Sequence, residues 1–151
     1  MIAFAVTSAI VKLYADEEGS EIIRSLEAMQ VSQLCRVEVP AVLWRKIRMN
    51  ALTQRDAHVL VRAFENDLFG ADGPLVPLRI SSAILDDAAT LVESYGLRAY
   101  DAVQLASART AREIEPDCRS FAAFDDQLRV AAAAEGFQLI PAISIAGRVD
   151  A

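Results

Sequence analysis

Arg98-Ala99-Tyr100-Asp101-Ala102-Val103-Gln104-Leu105-Ala106-Ser107-Ala108 reads as the opening of a helix. Ala102, Leu105 and Ala106 keep the helical period, so one face is small and apolar until Arg109 interrupts it. Asp101 falls in the first turn, where the helix dipole favours a carboxylate, and on that ground alone it is a solvated cap. The small neighbours let another element pack close and leave the carboxylate at a seam. A carboxylate held there requires a basic partner or a cation. How the chain is read turns on whether other acids arrive at the same place.

The stretches on either side alternate between short apolar runs and helical stripes. Met1 to Val6 is unbroken apolar sequence, the pattern of a strand buried on both faces. Thr7 or Ser8 is placed to cap a helix over Ala9 to Ala15. Ile22, Ile23, Leu26 and Met29 form the next stripe, and a short strand is expected over Gln30 to Leu34. Glu38 stands at the head of a helix with Pro40 in its first turn, where proline is tolerated. Thr53-Gln54-Arg55-Asp56 resembles a capping box ahead of the clearest stripe, Ala57, Leu60, Val61, Phe64 and Leu68.

Leu75 to Ile80 reads as an edge strand because Pro77 interrupts it. Ser81 or Ser82 caps a helix that stops at Gly96. Ser120 to Phe124 is a further strand, ending in Asp125-Asp126. Asp126 is placed to cap a helix over Gln127 to Glu135, and Phe137 to Ile140 is the last strand. The pattern predicts one α/β domain over residues 1–141, a three-layer sandwich with a mostly parallel central sheet flanked by helices, and a tail over 142–151. Such sheets gather ligands at the carboxyl ends of their strands. Glu38, Asp101 and Asp125 suit that place. The end of the first strand should supply a fourth acid, and it is Val6.

The 151 residues suffice for a proper core, and no apolar run approaches the ~18 residues of a membrane span. Cys35 and Cys118 form neither a disulfide framework nor a zinc spacing. With no signal-peptide pattern, a soluble cytoplasmic protein is expected. The net charge of −6 argues against a general nucleic-acid coat protein but not against a nucleic-acid enzyme, because acids gathered around a metal lower the pI by themselves.

Four motifs resemble, in order and over nearly the whole chain, those of the PIN-domain family, and in particular the VapC-type toxins of bacterial toxin–antitoxin pairs. They are Val6-Thr7-Ser8-Ala9-Ile10-Val11-Lys12-Leu13-Tyr14, Glu38-Val39-Pro40-Ala41-Val42-Leu43-Trp44-Arg45, Arg98 to Ala106, and Phe124-Asp125-Asp126-Gln127-Leu128. The resemblance implies a metal-dependent endoribonuclease using Mg²⁺ or Mn²⁺, a homodimer, and a cognate antitoxin that blocks the site. The family's first acidic residue maps onto Val6, and a hydroxyl usually found two residues before the fourth carboxylate maps onto Ala123.

On that reading Asp101 and Asp125 are the direct metal ligands and Glu38 binds directly or orients a metal-bound water; all three are the catalytic candidates. Carboxylates suit the purpose because these ions take hard oxygen ligands. Thr7, Ser8 and Asp126 support the site, and Arg98 is the residue best placed to hold an RNA phosphate. Trp44 and Tyr100 have rings able to stack on bases, with packing as the plainer role. His58 receives no role.

Two other functions compete: a catalytically dead PIN module that binds antitoxin or RNA without cutting, and a receiver-like phosphoacceptor. The last lacks the acidic pair after the first strand and the late lysine that its chemistry needs.

Overall fold

A computed structural model describes residues 2–143. Five strands form one sheet in the order β3-β2-β1-β4-β5, with every pairing parallel. They are β1 (Ile2–Ala5), β2 (Ala28–Ser32), β3 (Leu75–Leu78), β4 (Cys118–Ala122) and β5 (Gln138–Ile140). The sheet is thus wholly parallel rather than mostly so. Pro77 lies in edge strand β3, as its missing N–H requires.

Among the described residues, seven α-helices flank the sheet: α1 (Thr7–Ile10), α2 (Ser20–Arg24), α3 (Cys35–Arg48), α4 (Gln54–Phe69), α5 (Ser82–Tyr95), α6 (Ala99–Ile114) and α7 (Asp126–Ala134). Side chains alternate along the central strands and split the core in two. Phe4 and Phe121 face α5, α6 and α7, with their rings stacked 6.0 Å apart. Ala5, Met29, Val31 and Ala122 face α3 and α4. This is the expected three-layer α/β sandwich.

Several local expectations need correction. The helix after β1 is only one turn of α-helix followed by a 3-10 turn at Val11–Leu13, not Ala9 to Ala15. Neither Thr7 nor Ser8 caps it; Val6 holds the capping position without a side-chain hydrogen bond. Helix α3 starts at Cys35, so Glu38 is already inside its first turn and Pro40 lies within the helix. Asp125, not Asp126, caps α7, accepting a hydrogen bond from the Leu128 N–H at 3.2 Å. Asp126 is the first helical residue. Thr53 and Ser81 cap α4 and α5, and Gly96 ends α5 at φ +64°, a conformation that suits glycine. Of the tail expected over 142–151, residues 144–151 lie outside the described residues.

Helix α6 goes beyond the one apolar face expected of it. Gln104, Leu105, Ala106, Ser107 and Ala108 are all buried in succession, so the helix is enclosed on nearly every side. Small residues are the condition for that enclosure, since interiors are packed to crystal-like density. Ala106→Leu is expected to cost about 1–3 kcal/mol by overpacking, read as a lower urea midpoint. An unchanged midpoint would mean that α6 has room to spare.

Candidate active site

The chain runs from β1 outward to β2 and β3 on one side, then returns past β1 to β4 on the other. The reversal opens a crevice at the carboxyl ends of β1 and β4, where open parallel sheets place their ligands. A cleft of about 380 Å³ lies there, and Val6, Thr7, Glu38, Asp101, Gln104 and Asp125 are among its walls. Four separate elements deliver them. Val6 and Thr7 follow β1, Glu38 comes from α3, Asp101 and Gln104 from α6, and Asp125 follows β4. The three acids expected to meet do line one hollow.

They do so in two groups. Arg98, the residue before α6, donates from Nε to Asp101 Oδ2 at 3.4 Å and from Nη2 to Asp125 Oδ2 at 3.5 Å. Both contacts are long and the arginine side chain is 80% exposed, so the clasp is a weak one. Glu38 turns the other way. Its Oε1 accepts from Thr7 Oγ1 at 2.8 Å and from Gln104 Nε2 at 2.9 Å. Ser8 accepts the Phe124 N–H at 3.0 Å and so ties the start of α1 to the segment that carries Asp125. Thr7 and Ser8 therefore shape the site directly, not as helix caps.

Val6 is 3% exposed and belongs to the same core as Phe4, Leu105 and Phe121, while also lining the cleft. Its N–H donates to the Ala122 carbonyl at 3.1 Å, which extends the β1–β4 pairing by one residue. A carboxylate on that backbone would be deeply buried and would need a cation or hydrogen-bond donors to offset its desolvation. Valine removes the demand and adds apolar burial. Ala123 is likewise fully buried.

Gln104 was not singled out by the sequence, although its place one turn after Asp101 puts it on the same side of α6. It is 2% exposed and its Oε1 has no hydrogen-bond partner among the described residues. Lys12 and Glu17 also line the cleft without having been expected there. The Lys12 ammonium pairs with Glu17 at 3.0 Å and sits 4.3 Å from the centre of the Phe124 ring. Glu17 pairs with Lys46 as well, at 2.7 Å. Burial pushes the Glu17 carboxyl up, but hydrogen bonds from Lys46 and Lys12 outweigh it and leave the group below its usual range. Trp44 packs edge-on against His58, Tyr100 is exposed, and Asp126 does not line the cleft. Burial pushes Cys35 to about 12 and Cys118 to about 11, so neither is a thiolate at neutral pH.

A family profile described as PIN domain matches residues 3–134. The chain belongs to the PIN domain family. PIN domains are in general metal-dependent nucleases. No curated protein matches the chain. No helix among the described residues is long and apolar enough to cross a membrane.

Among the described residues, no three His, Cys, Asp or Glu side chains stand together as a metal cage. The donor set of this PIN domain nevertheless suits a hard divalent ion, because Mg²⁺ is commonly held by one or two carboxylates and keeps several waters. Asp101 and Asp125 are such a pair, and their shared contact with Arg98 places their Oδ2 atoms around a single cation already.

Asp101 also carries the mark of crowding. Burial first, then the Asp125 carboxylate, raise its pKa above the ordinary value; Arg98 draws it back and Glu38 adds a further push. A folded-state value above the unfolded one means that the native state holds the proton more tightly. Ionising Asp101 therefore costs stability as pH rises from the ordinary carboxylate value, about 3.9, through the raised one. Below that interval both states are protonated and the penalty disappears. Asp101→Asn is expected to raise the melting midpoint at pH 7 and to raise it less toward pH 4. Melting curves that place the asparagine variant below the parent at pH 7 would contradict this assignment.

Proposed function

We propose that this PIN domain is an endoribonuclease of the VapC toxin type, lowered in activity by Val6. The observation that carries the reading is that Glu38, Asp101 and Asp125, from three separate elements, line one cleft at the ends of β1 and β4. The reading includes a homodimer acting in the cytoplasm, with a cognate antitoxin as inhibitor and RNA as substrate. The cofactor is Mg²⁺ or Mn²⁺.

Asp101 and Asp125 would hold the ion through carboxylate oxygens. When bound, it would polarise the scissile phosphate and make water a competent nucleophile at neutral pH. Asp125 keeps Oδ1 on the Leu128 N–H, so its Oδ2 is fixed toward the cleft. Thr7 and Gln104 hold Glu38 by one oxygen, leaving the other to orient the attacking water for in-line displacement at phosphorus. Arg98, once released from the two acids, is exposed enough to bind a non-bridging phosphate oxygen.

Val6 puts methyl groups where the family's remaining carboxylate belongs. The burial of Val6 in the core favours a second reading, a dead module that occupies antitoxin or RNA without cutting. Val6→Asp separates the two. On the nuclease reading it tightens Mn²⁺ binding by calorimetry and speeds metal-dependent RNA cleavage by at least ~10²-fold, because even outer-shell partners are worth ~10–100-fold. An aspartate variant that binds Mn²⁺ no better and cuts RNA no faster than the parent would leave the binding module as the better account.

A further inference from the structure

Residues 45–62 hold five of the chain's 15 Lys and Arg residues, Arg45, Lys46, Arg48, Arg55 and Arg62, but only one of its 21 Asp and Glu residues, Asp56. On a chain of net charge −6 this is a sharply positive segment. It covers the end of α3, the turn and about the first half of α4. We propose that this α3–α4 hairpin binds the phosphate backbone of single-stranded RNA and leads it to the cleft. The inference rests on the nuclease reading and locates the substrate on this chain.

The arginines elsewhere are largely engaged by the fold. Arg24, Arg98 and Arg109 are ion-paired, and Arg112, Arg119 and Arg129 donate to carbonyl oxygens. Arg45, Arg48, Arg55 and Arg62 are exposed and have no carboxylate partner among the described residues. Helix polarity accounts for only part of the pattern. Arg45 and Arg48 lie in the last turn of α3, where a cation suits the dipole, but Arg55 lies in the first turn of α4, where it opposes it. A cation kept against the dipole, exposed and unpaired, points to an anion from outside.

The geometry joins this surface to the acids. Arg45 lines the main cleft, and with Glu38, Arg98 and Asp101 it also lines a neighbouring hollow. From Glu38 to Arg48 the helix covers about 15 Å at 1.5 Å per residue. Arg55, His58 and Arg62 then share a shallow depression on α4. The Trp44 and His58 rings, 4.8 Å apart, fasten the two helices near the turn that joins them and add aromatic surface. Basic side chains interleaved with aromatic ones suit a single strand better than a duplex.

The test is RNA binding in EDTA, so that nothing is cut, using a fluorescent single-stranded RNA of mixed sequence over a series of salt concentrations. The triple variant Arg48→Ala, Arg55→Ala, Arg62→Ala is expected to bind at least about ten-fold more weakly. Its plot of log affinity against log salt should be shallower by about two, the loss expected for three contacts at ~0.7 each. The corresponding triple lysine variant keeps the charge and should keep the slope, which guards against a folding artefact. Arg24→Ala with Arg119→Ala should leave binding unchanged.

Undiminished RNA binding by the triple alanine variant would overturn the hairpin assignment and leave the nuclease reading standing. Failure of the parent chain to bind RNA at all would overturn both. Loss of binding to polyglutamate with RNA binding intact would give the surface to an acidic protein and overturn the proposal.

Discussion

The enclosure of α6 is the constraint from which the site follows. A helix buried through Gln104, Leu105, Ala106, Ser107 and Ala108 has little freedom to turn or slide, because its neighbours on nearly every side fix its register. Asp101, one turn earlier at the rim, inherits that rigidity. The same packing carries Gln104 into the interior beside Thr7, where its amide grips Glu38. Alanine and serine in the quoted stretch are therefore part of the site's machinery, since larger residues would push the carboxylate away from Asp125.

Electrostatics explain the division of the acids into two groups. Two carboxylates lie around Arg98, and the third, Glu38, accepts hydrogen bonds from Thr7 and Gln104 instead. Val6 brings no charge to the hollow, and Arg98 contacts Asp101 and Asp125 across it. Burial, and after it the Asp125 carboxylate, raise the Asp101 pKa, and Arg98 draws it back only in part. At the end of β1, Val6 contributes apolar burial where a carboxylate would have to be desolvated.

Much of this arrangement was legible in the sequence. The apolar hexamer at the start and the stripes of α4 and α5 dictate buried parallel strands and amphipathic helices, and the acids fall where strands end. Edge placement of β3 followed from Pro77, and the stop at Gly96 from the need for a left-handed residue. What the sequence concealed was set by tertiary contact. Thr7 and Ser8 look like caps because hydroxyls before a helix commonly are, yet a carboxylate 31 residues away and an N–H 116 residues away claim them. Asp126 looks like the cap of α7 from its position, yet the backbone path out of β4 gives that place to Asp125. The Lys12–Glu17–Lys46 chain spans residues that no local period connects.

The order of the strands has a consequence for how the protein emerges from the ribosome. β1 is made first, yet it occupies the centre of the sheet and one of its two neighbours, β4, is synthesised more than a hundred residues later. Until then one edge of β1 offers unpaired backbone groups, a template for non-native association. Such distant pairing also slows folding, since a long loop must close before the contact forms. Asp125 arrives with the same late segment. A polypeptide ending before β4 would lack both the second neighbour of β1 and a corner of the acidic hollow, so Asp125 joins Asp101 only once that distant segment has been made.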